Sequence, residues 1–320
     1  MRVLITGGLG FIGVNTALRF IDRGDDVLVL DNVHKKGSIE NIPLLRDKGV
    51  YIHIADVADY HRSENIIVDY NPDVIFHLAA QTAVTKSVED FEEDFASNTI
   101  GSFNILRCAM LVESCRLIYA STNKVYGSLE SSKLPENGYA ENTPLDFHSP
   151  YGCSKGAADQ YIHDFSRIYG LDTVVLRQSC IYGEHQNGTE DQGWVAHFVK
   201  QFLKDEQVTI YGDGNQIRDI LYISDLVDLY EKIADCREKL GDVYNVGGGV
   251  RNAISLLGLV DKYEARDLIS FSEKRPGDQQ VFISDNTKAE TKYDWSPSIN
   301  IDSGLQKLTD YLMRKEHHDG

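Results

Sequence analysis

An α/β fold, a doubly wound parallel sheet with a second, smaller lobe, is predicted by three features of this 320-residue sequence. Short β-rich runs alternate with helix-periodic stretches through the first half. Several of those runs are almost continuously apolar, as strands buried on both faces require. A glycine-rich turn joins the first run to the first helix. The expected strands cover residues 2–6, 27–30, 51–54, 74–78, 117–121 and 173–177, and helical periodicity covers 11–21, 63–70 and 95–112. After residue 177 the pattern loosens, with glycine and polar loops at 182–193, 212–216, 247–249 and 275–280. Residues 242–246 read as a further core strand. The expected division is a first domain over 1–177 with a returning segment near 222–247, and a smaller lobe from 178–221 and 248–320.

The composition, 42% hydrophobic and 25% charged, is that of an ordinary soluble globular protein. The first residues run straight into a strand, without the pattern of a secretory leader, and no apolar run nears the ~20 residues that span a bilayer. A cytoplasmic protein with no membrane partner is therefore expected. Five scattered cysteines (Cys108, Cys115, Cys153, Cys180 and Cys236) show no paired metal spacing. Their odd number fits reduced thiols, and they are expected as buried small apolar residues. No metal is expected, the His317-His318 pair in a fraying polar tail at 314–320 included. A net charge of -17 argues against a nucleic-acid partner. It leaves room for a few arginines in a cleft to hold a diphosphate.

The glycine turn is Thr6-Gly7-Gly8-Leu9-Gly10-Phe11-Ile12-Gly13. Glycines at 7, 10 and 13 allow a sharp turn, close approach of backbone to a pyrophosphate and tight helix–sheet packing, while the helix N-terminus supplies N–H donors. Asp31, with Asn32 beside it, ends the second strand at the distance where a carboxylate meets adenosine ribose hydroxyls. A carboxylate there repels a 2′-phosphate, so the expected cofactor is NAD rather than NADP. Lys35 and Lys36 are read as a solvated loop. Asp56 and Val57 after the third strand, and Leu78-Ala79-Ala80-Gln81 after the fourth, complete a set of strand carboxyl ends where open α/β sheets bind ligands.

Tyr151-Gly152-Cys153-Ser154-Lys155 places a phenol and an ammonium four residues apart on one helix face, with Ser149 as N-cap and Pro150 as first helical residue. A lysine charge beside a phenol is expected to lower its pKa, so that Tyr151 can exchange a proton with a hydroxyl while a nicotinamide takes the hydride. Ala120 and Thr122 end the fifth strand. Thr122 can hydrogen-bond the reacting oxygen or cap the strand end. Asn98 can kink its helix and hold a water, or be an ordinary polar residue.

These residues resemble the extended short-chain dehydrogenase/reductases that modify nucleotide sugars, over nearly the whole chain. Gly7, Gly10, Gly13, Thr122, Tyr151 and Lys155 carry the resemblance, with Tyr211-Gly212-Asp213-Gly214-Asn215-Gln216-Ile217-Arg218-Asp219 in the smaller lobe. It implies a Rossmann-type NAD domain, a nucleotide-sugar-binding lobe, and a homodimer through the helices at 95–112 and 151–169. Within the family the chain is similar to the branch that epimerises C2 of CDP-hexoses. Three stretches are responsible: 121–127, 145–161 and 191–195. Dehydratases of the family carry an Asp-Glu pair directly after the threonine, where this chain has Asn123 and Lys124. Neither an amide nor an ammonium replaces a carboxyl pair in water elimination, which disfavours dehydration.

The resemblance further implies substrate contacts from Thr122, Asn123, Lys124, His148, Ser179, Asp191, Gln192, Arg218 and Arg275, the two arginines clamping the diphosphate. Trp194 is expected to pack rather than bind. The segment between Gly127 and Leu145 is shorter than in that branch and is expected to border the sugar pocket. The expected function is an NAD-dependent 2-epimerase of a CDP-hexose working by transient oxidation. The alternatives are a 4-epimerase or dehydrogenase on the same scaffold and, from another class, a non-catalytic NAD-sensing protein.

Overall fold

The computed structural model describes residues 1–35, 37–129, 132, 134–275 and 277–319, of which 316–319 by backbone alone. Lys36, Pro276, Gly320 and the side chains of His317 and His318 lie outside the described residues. The strands in chain order are β1 (Arg2–Thr6), β2 (Asp26–Asp31), β3 (Tyr51–Ile54), β4 (Val74–His77), β5 (Arg116–Thr122), β6 (Asp172–Gln178), β7 (Cys180–Tyr182), β8 (Val208–Tyr211), β9 (Ile217–Tyr222), β10 (Gly241–Val246), β11 (Ala253–Ser255), β12 (Ile269–Ser272) and β13 (Val281–Phe282). Seven of them form one parallel sheet in the order β10-β6-β5-β4-β1-β2-β3. Because β2 and β4 both flank β1, the winding reverses there and opens a crevice at the carboxyl ends of the strands.

The helices are α1 (Phe11–Asp22), α2 (Asn41–Asp47), α3 (Tyr60–Tyr70), α4 (Val84–Glu89), α5 (Phe91–Phe95), α6 (Gly101–Ala109), α7 (Ser149–Tyr169), α8 (Trp194–Leu203), α9 (Ile223–Asp235), α10 (Leu256–Lys262), α11 (Thr287–Tyr293) and α12 (Ile301–Asp319). Alternation along each strand builds two cores. Val3, Ile5, Val27, Val29 and Ile118 face one side, where Phe76 packs 5.1 Å from both Phe20 of α1 and Tyr230 of α9. Leu4, Leu28, Leu30, Leu117 and Tyr119 face the other, against Ile67, Ile105 and Ile162 of α3, α6 and α7. No described helix is long and apolar enough to cross a membrane.

Beyond the large sheet, β9 pairs with β7, β11 and β13, and β8 pairs with β12. Three sequence expectations need correction. The continuous helix expected at 95–112 is α5, a π turn over Ala96–Ile100, and α6. The tail expected to fray from 314 continues α12 to Asp319. None of the described residues between Gly127 and Leu145 lines the cleft. Tyr139 of that segment instead stacks on Phe282 and closes a third apolar cluster with Val125, Tyr126 and Val281.

Candidate active site

The crevice is one continuous cleft of about 660 Å³, running from Gly7 and Asp31 at one end, past Thr122, Tyr151 and Lys155, to Arg218 and Arg275 at the other. That is well within the roughly 300–1,000 Å³ typical of ligand sites. At the first end, Gly7 holds φ +68°, and a Cβ there would stand 2.7 Å from the backbone of Ala79. A Cβ on Gly13 would strike the backbone of Gly7 and Gly8. The turn and α1 can therefore close on β4 only without side chains. Gly10 caps α1 without any side-chain hydrogen bond, which leaves the first N–H groups of the helix pointing at the cleft mouth.

Asp31 is buried, and its carboxylate accepts from Leu9 N at 3.0 Å and Val33 N at 2.8 Å. Burial nonetheless outweighs these bonds and raises its pKa. Asp56 accepts from Asn32 Nδ2 at 2.9 Å. Phe11, Ile12, Asn32, Asp56, Val57, Leu78, Ala79, Ala80, Gln81 and Ala120 all line this part of the cleft. These features fit a dinucleotide: a side-chain-free cradle, unpaired N–H groups and a carboxylate at the second strand end.

Tyr151 and Lys155 rise from one face of α7 at the centre of the cleft. The helix begins at Ser149, one residue before the expected start, with His148 at the N-cap; Ser149 Oγ accepts from Gly152 N at 3.2 Å, at the strained φ of +67°. The phenol is buried and hydrogen-bonded to Thr122. Thr122 Oγ1 also accepts from Lys124 N at 3.2 Å, so it caps the strand end and reaches Tyr151 together. Lys155 Nζ donates to Ala120 O at 2.6 Å and lies 4.2 Å over the Tyr119 ring.

The expectation that Lys155 lowers the Tyr151 pKa is overturned. Burial pushes the phenol up to about 12 against the Thr122 hydrogen bond. Burial likewise pulls Lys155 down to about 7 against Asp159 and Asp94. Desolvation of each charged form is the largest effect on both groups.

Two expected site residues stand outside the cleft wall. Asn98 sits in the π turn, where Nδ2 donates to Gln81 O, Asp94 Oδ1 and Ser154 Oγ at 3.0–3.1 Å. It kinks its helix as expected but acts on Gln81 and α7 from behind, and its Oδ1 is buried without a partner among the described residues. His148 is exposed, because the turn at Ser149 throws it outward beside Gly277. Ser179 lines the cleft with its hydroxyl already given to Asp219.

Other readings are extended or changed. Lys35 is an exposed loop residue, as expected, and also reaches Gln192 Oε1 across the mouth. Trp194 packs edge-on against Phe198 and also lines the cleft, with its Nε1 buried. Cys153 is exposed and Cys180 is a cleft residue, not part of the core. Sequence reasoning missed Thr85, Lys86, Glu190, Tyr211 and Asp278, all in the cleft wall. Thr85 and Lys86 follow the fourth strand end and were within reach of the same strand-end rule. Glu190 and Asp278 are recognisable only through Arg275 and Arg218, which they hold.

A glycine cradle at the winding reversal, followed by Thr122, Tyr151 and Lys155 in one cleft, defines an extended short-chain dehydrogenase/reductase. The family described as GDP-mannose 4,6 dehydratase matches residues 4–308, and the chain belongs to it. It is 40% identical to CDP-paratose 2-epimerase of Salmonella typhi, over 97% of this chain and 99% of that protein. Two solved UDP-glucose 4-epimerases, each 30% identical, superpose closely. The Thermotoga maritima structure with UDP-glucose has a TM-score of 0.88, covering 99% of this chain and all of that one. The Thermus thermophilus structure in complex with NAD has a TM-score of 0.86, covering 98% and 99%. The chain is thus a member of a family of nucleotide-sugar epimerases and dehydratases.

Proposed function

We propose that this protein is an NAD-dependent nucleotide-sugar epimerase that inverts C2 of a CDP-hexose. The observation that carries the reading is the arrangement of Thr122, Tyr151 and Lys155 in one wall, with Asn123 and Lys124 where dehydration needs two carboxyl groups. The similarity to the Salmonella typhi CDP-paratose 2-epimerase supports the base and the carbon.

Gly7, Gly10, Gly13 and the N-terminus of α1 would hold the pyrophosphate of NAD, and Asp31 its adenosine ribose. NAD held there would supply a hydride acceptor for the sugar carbon and, once reduced, a hydride donor to the other face of the resulting ketone. Tyr151 takes the hydroxyl proton and later restores it, and Thr122 holds that oxygen. Lys155, fixed by Ala120 O, places an ammonium beside the same region. The fixed positive charge of an oxidised nicotinamide would lower the phenol from the value that burial alone imposes. Arg218 and Arg275 bind the diphosphate, and Asp191 and Gln192 close the cleft above the sugar. The active unit is a homodimer through α6 and α7, whose outer faces expose Phe103, Tyr161, Ile168 and Tyr169.

The test is incubation with a panel of CDP-, GDP- and UDP-hexoses, with products read by NMR. Inversion at C2 of a CDP-hexose, with no net NADH, is the expected result. Release of water, or steady NADH accumulation, would refute it.

A further inference from the structure

Three cations stand in the half of the cleft away from the glycine turn: Lys124, Arg218 and Arg275. Two of them already have partners. Arg218 donates to Asp278 Oδ1 at 2.8 Å and to the carbonyl of Gln279. Arg275 donates to Glu190 O at 3.0 Å and to the Glu190 carboxylate at 3.3 Å. Lys124 differs. Among the described residues its ammonium makes no hydrogen bond and no ion pair.

Its root is fixed close to the chemistry. Lys124 N donates to Thr122 Oγ1, and the turn that follows is pinned by Gln279 Nε2 to Asn123 O at 3.3 Å and Gly127 O at 2.6 Å. The ammonium lies within electrostatic reach of both Arg218 and Asp278. Two cations and one carboxylate share that corner, which leaves one positive charge uncompensated in the cleft wall. Burial first, and Arg218 second, pull the lysine down to about 8. An anionic ligand relieves both effects.

Resting on the C2 reading above, we infer that Lys124 binds the β-phosphate of the nucleotide sugar and so selects the carbon presented to Tyr151. The β-phosphate is bonded through oxygen to C1. A hexose that offers its C2 hydroxyl to Thr122 and Tyr151 must bring the phosphate on the neighbouring carbon close to those residues. A hexose that offers C4 keeps the phosphate across the ring, away from them. A cation two residues after Thr122, on the turn that Thr122 caps, is placed for the first arrangement. Lys124 moves no proton in this account. Its charge holds the phosphate near the reacting centre, while Arg218 and Arg275 hold the rest of the diphosphate.

The experiment titrates CDP and CMP into the full-length, NAD-loaded protein by calorimetry, for wild type, Lys124→Gln and Lys124→Arg. UDP and GDP are included for wild type. Lys124→Gln is expected to weaken CDP by about tenfold or more, as loss of a charge-assisted phosphate contact does, and to change CMP by less than about twofold. Lys124→Arg restores most of the CDP affinity. Thermal midpoints and bound NAD stay at wild-type values in both variants. Equal losses for CDP and CMP, or no loss of CDP, overturn the assignment while leaving the epimerase reading intact. A wild-type protein that binds none of the three diphosphates overturns that reading and this inference together.

Discussion

Tyr151 is the residue proposed to carry the chemistry, and its hydroxyl is the smallest group whose removal tests the site. Tyr151→Phe keeps the ring that fills the wall, so bound NAD and thermal midpoint are expected to match wild type. Turnover is expected to fall by about 10²–10⁴-fold or more. Near-full activity in a steady-state assay would remove the tyrosine from its role. Lys155 gives a second prediction at this scale, through pH. Its pKa of about 7 in the folded protein lies below the unfolded value near ~10.4. Between those two pH values the unfolded chain binds more protons, so stability rises with pH through that window and is lost as pH falls through about 7. Tyr151, raised to about 12, works oppositely: its contribution is complete below ~10 and is lost as pH climbs through about 12. Urea denaturation of Lys155→Met against wild type at pH 6, 8 and 10 should therefore show a gap that narrows as pH rises. A gap independent of pH would mean that the ammonium is not desolvated.

Residue pairs four apart on a helix were legible in the sequence, but the sign of their mutual effect was not. It depends on how far each charged form is desolvated, and burial dominates at both Tyr151 and Lys155.

Among the elements, α7 is held to the sheet by a buried network one helical turn beyond Lys155. Arg177 of β6 makes a two-pronged bond to Asp159 of α7, Nε–Oδ2 at 3.0 Å and Nη2–Oδ1 at 2.9 Å. Ser121 of β5 donates to the same carboxylate at 2.6 Å, and Arg177 also reaches Tyr126, whose hydroxyl donates to Asn245 of β10 at 2.7 Å. This network joins α7, three strands and the turn that presents Lys124. Arg177→Met leaves Asp159 charged and buried, and should cost about 3–5 kcal/mol in urea or thermal unfolding. A loss below ~1 kcal/mol would show that the pair is not what fixes α7.

Element order was readable because parallel strands buried on both faces write themselves as unbroken apolar runs. Their ends were not: β5 and β6 extend to Arg116, Thr122, Asp172 and Gln178, polar residues outside the apolar runs, of which Arg116 and Asp172 also pair across the ladder through their side chains at 2.9 Å. The break between α5 and α6 escaped periodicity because a π turn shifts the helical phase without adding a breaker residue. His148 escaped it too, since one strained dihedral at Ser149 decides which way the preceding residue faces.

At the scale of the whole molecule, α6 and α7 present aromatic rings that stay exposed among the described residues. Phe103 meets Tyr161 edge-on at 5.6 Å, and Tyr161, Ile168 and Tyr169 are more than half exposed. Paired against the same face of a second copy, as proposed, they would form a four-helix contact. Sedimentation should give a dimer for wild type at micromolar concentration and a monomer for Phe103→Glu with Tyr161→Glu. A wild-type monomer would remove the dimer from the account.

The central claim is that hydride leaves one sugar carbon and returns to that same carbon without exchange with water. It is tested most directly with a CDP-hexose carrying deuterium at C2, incubated in ordinary water and followed by NMR. The inverted product should retain the deuterium at C2, and the protonated substrate run in deuterated water should gain none. Loss of the label to solvent would mean that the carbon is deprotonated through an enol, and Tyr151 would not be serving a hydride transfer.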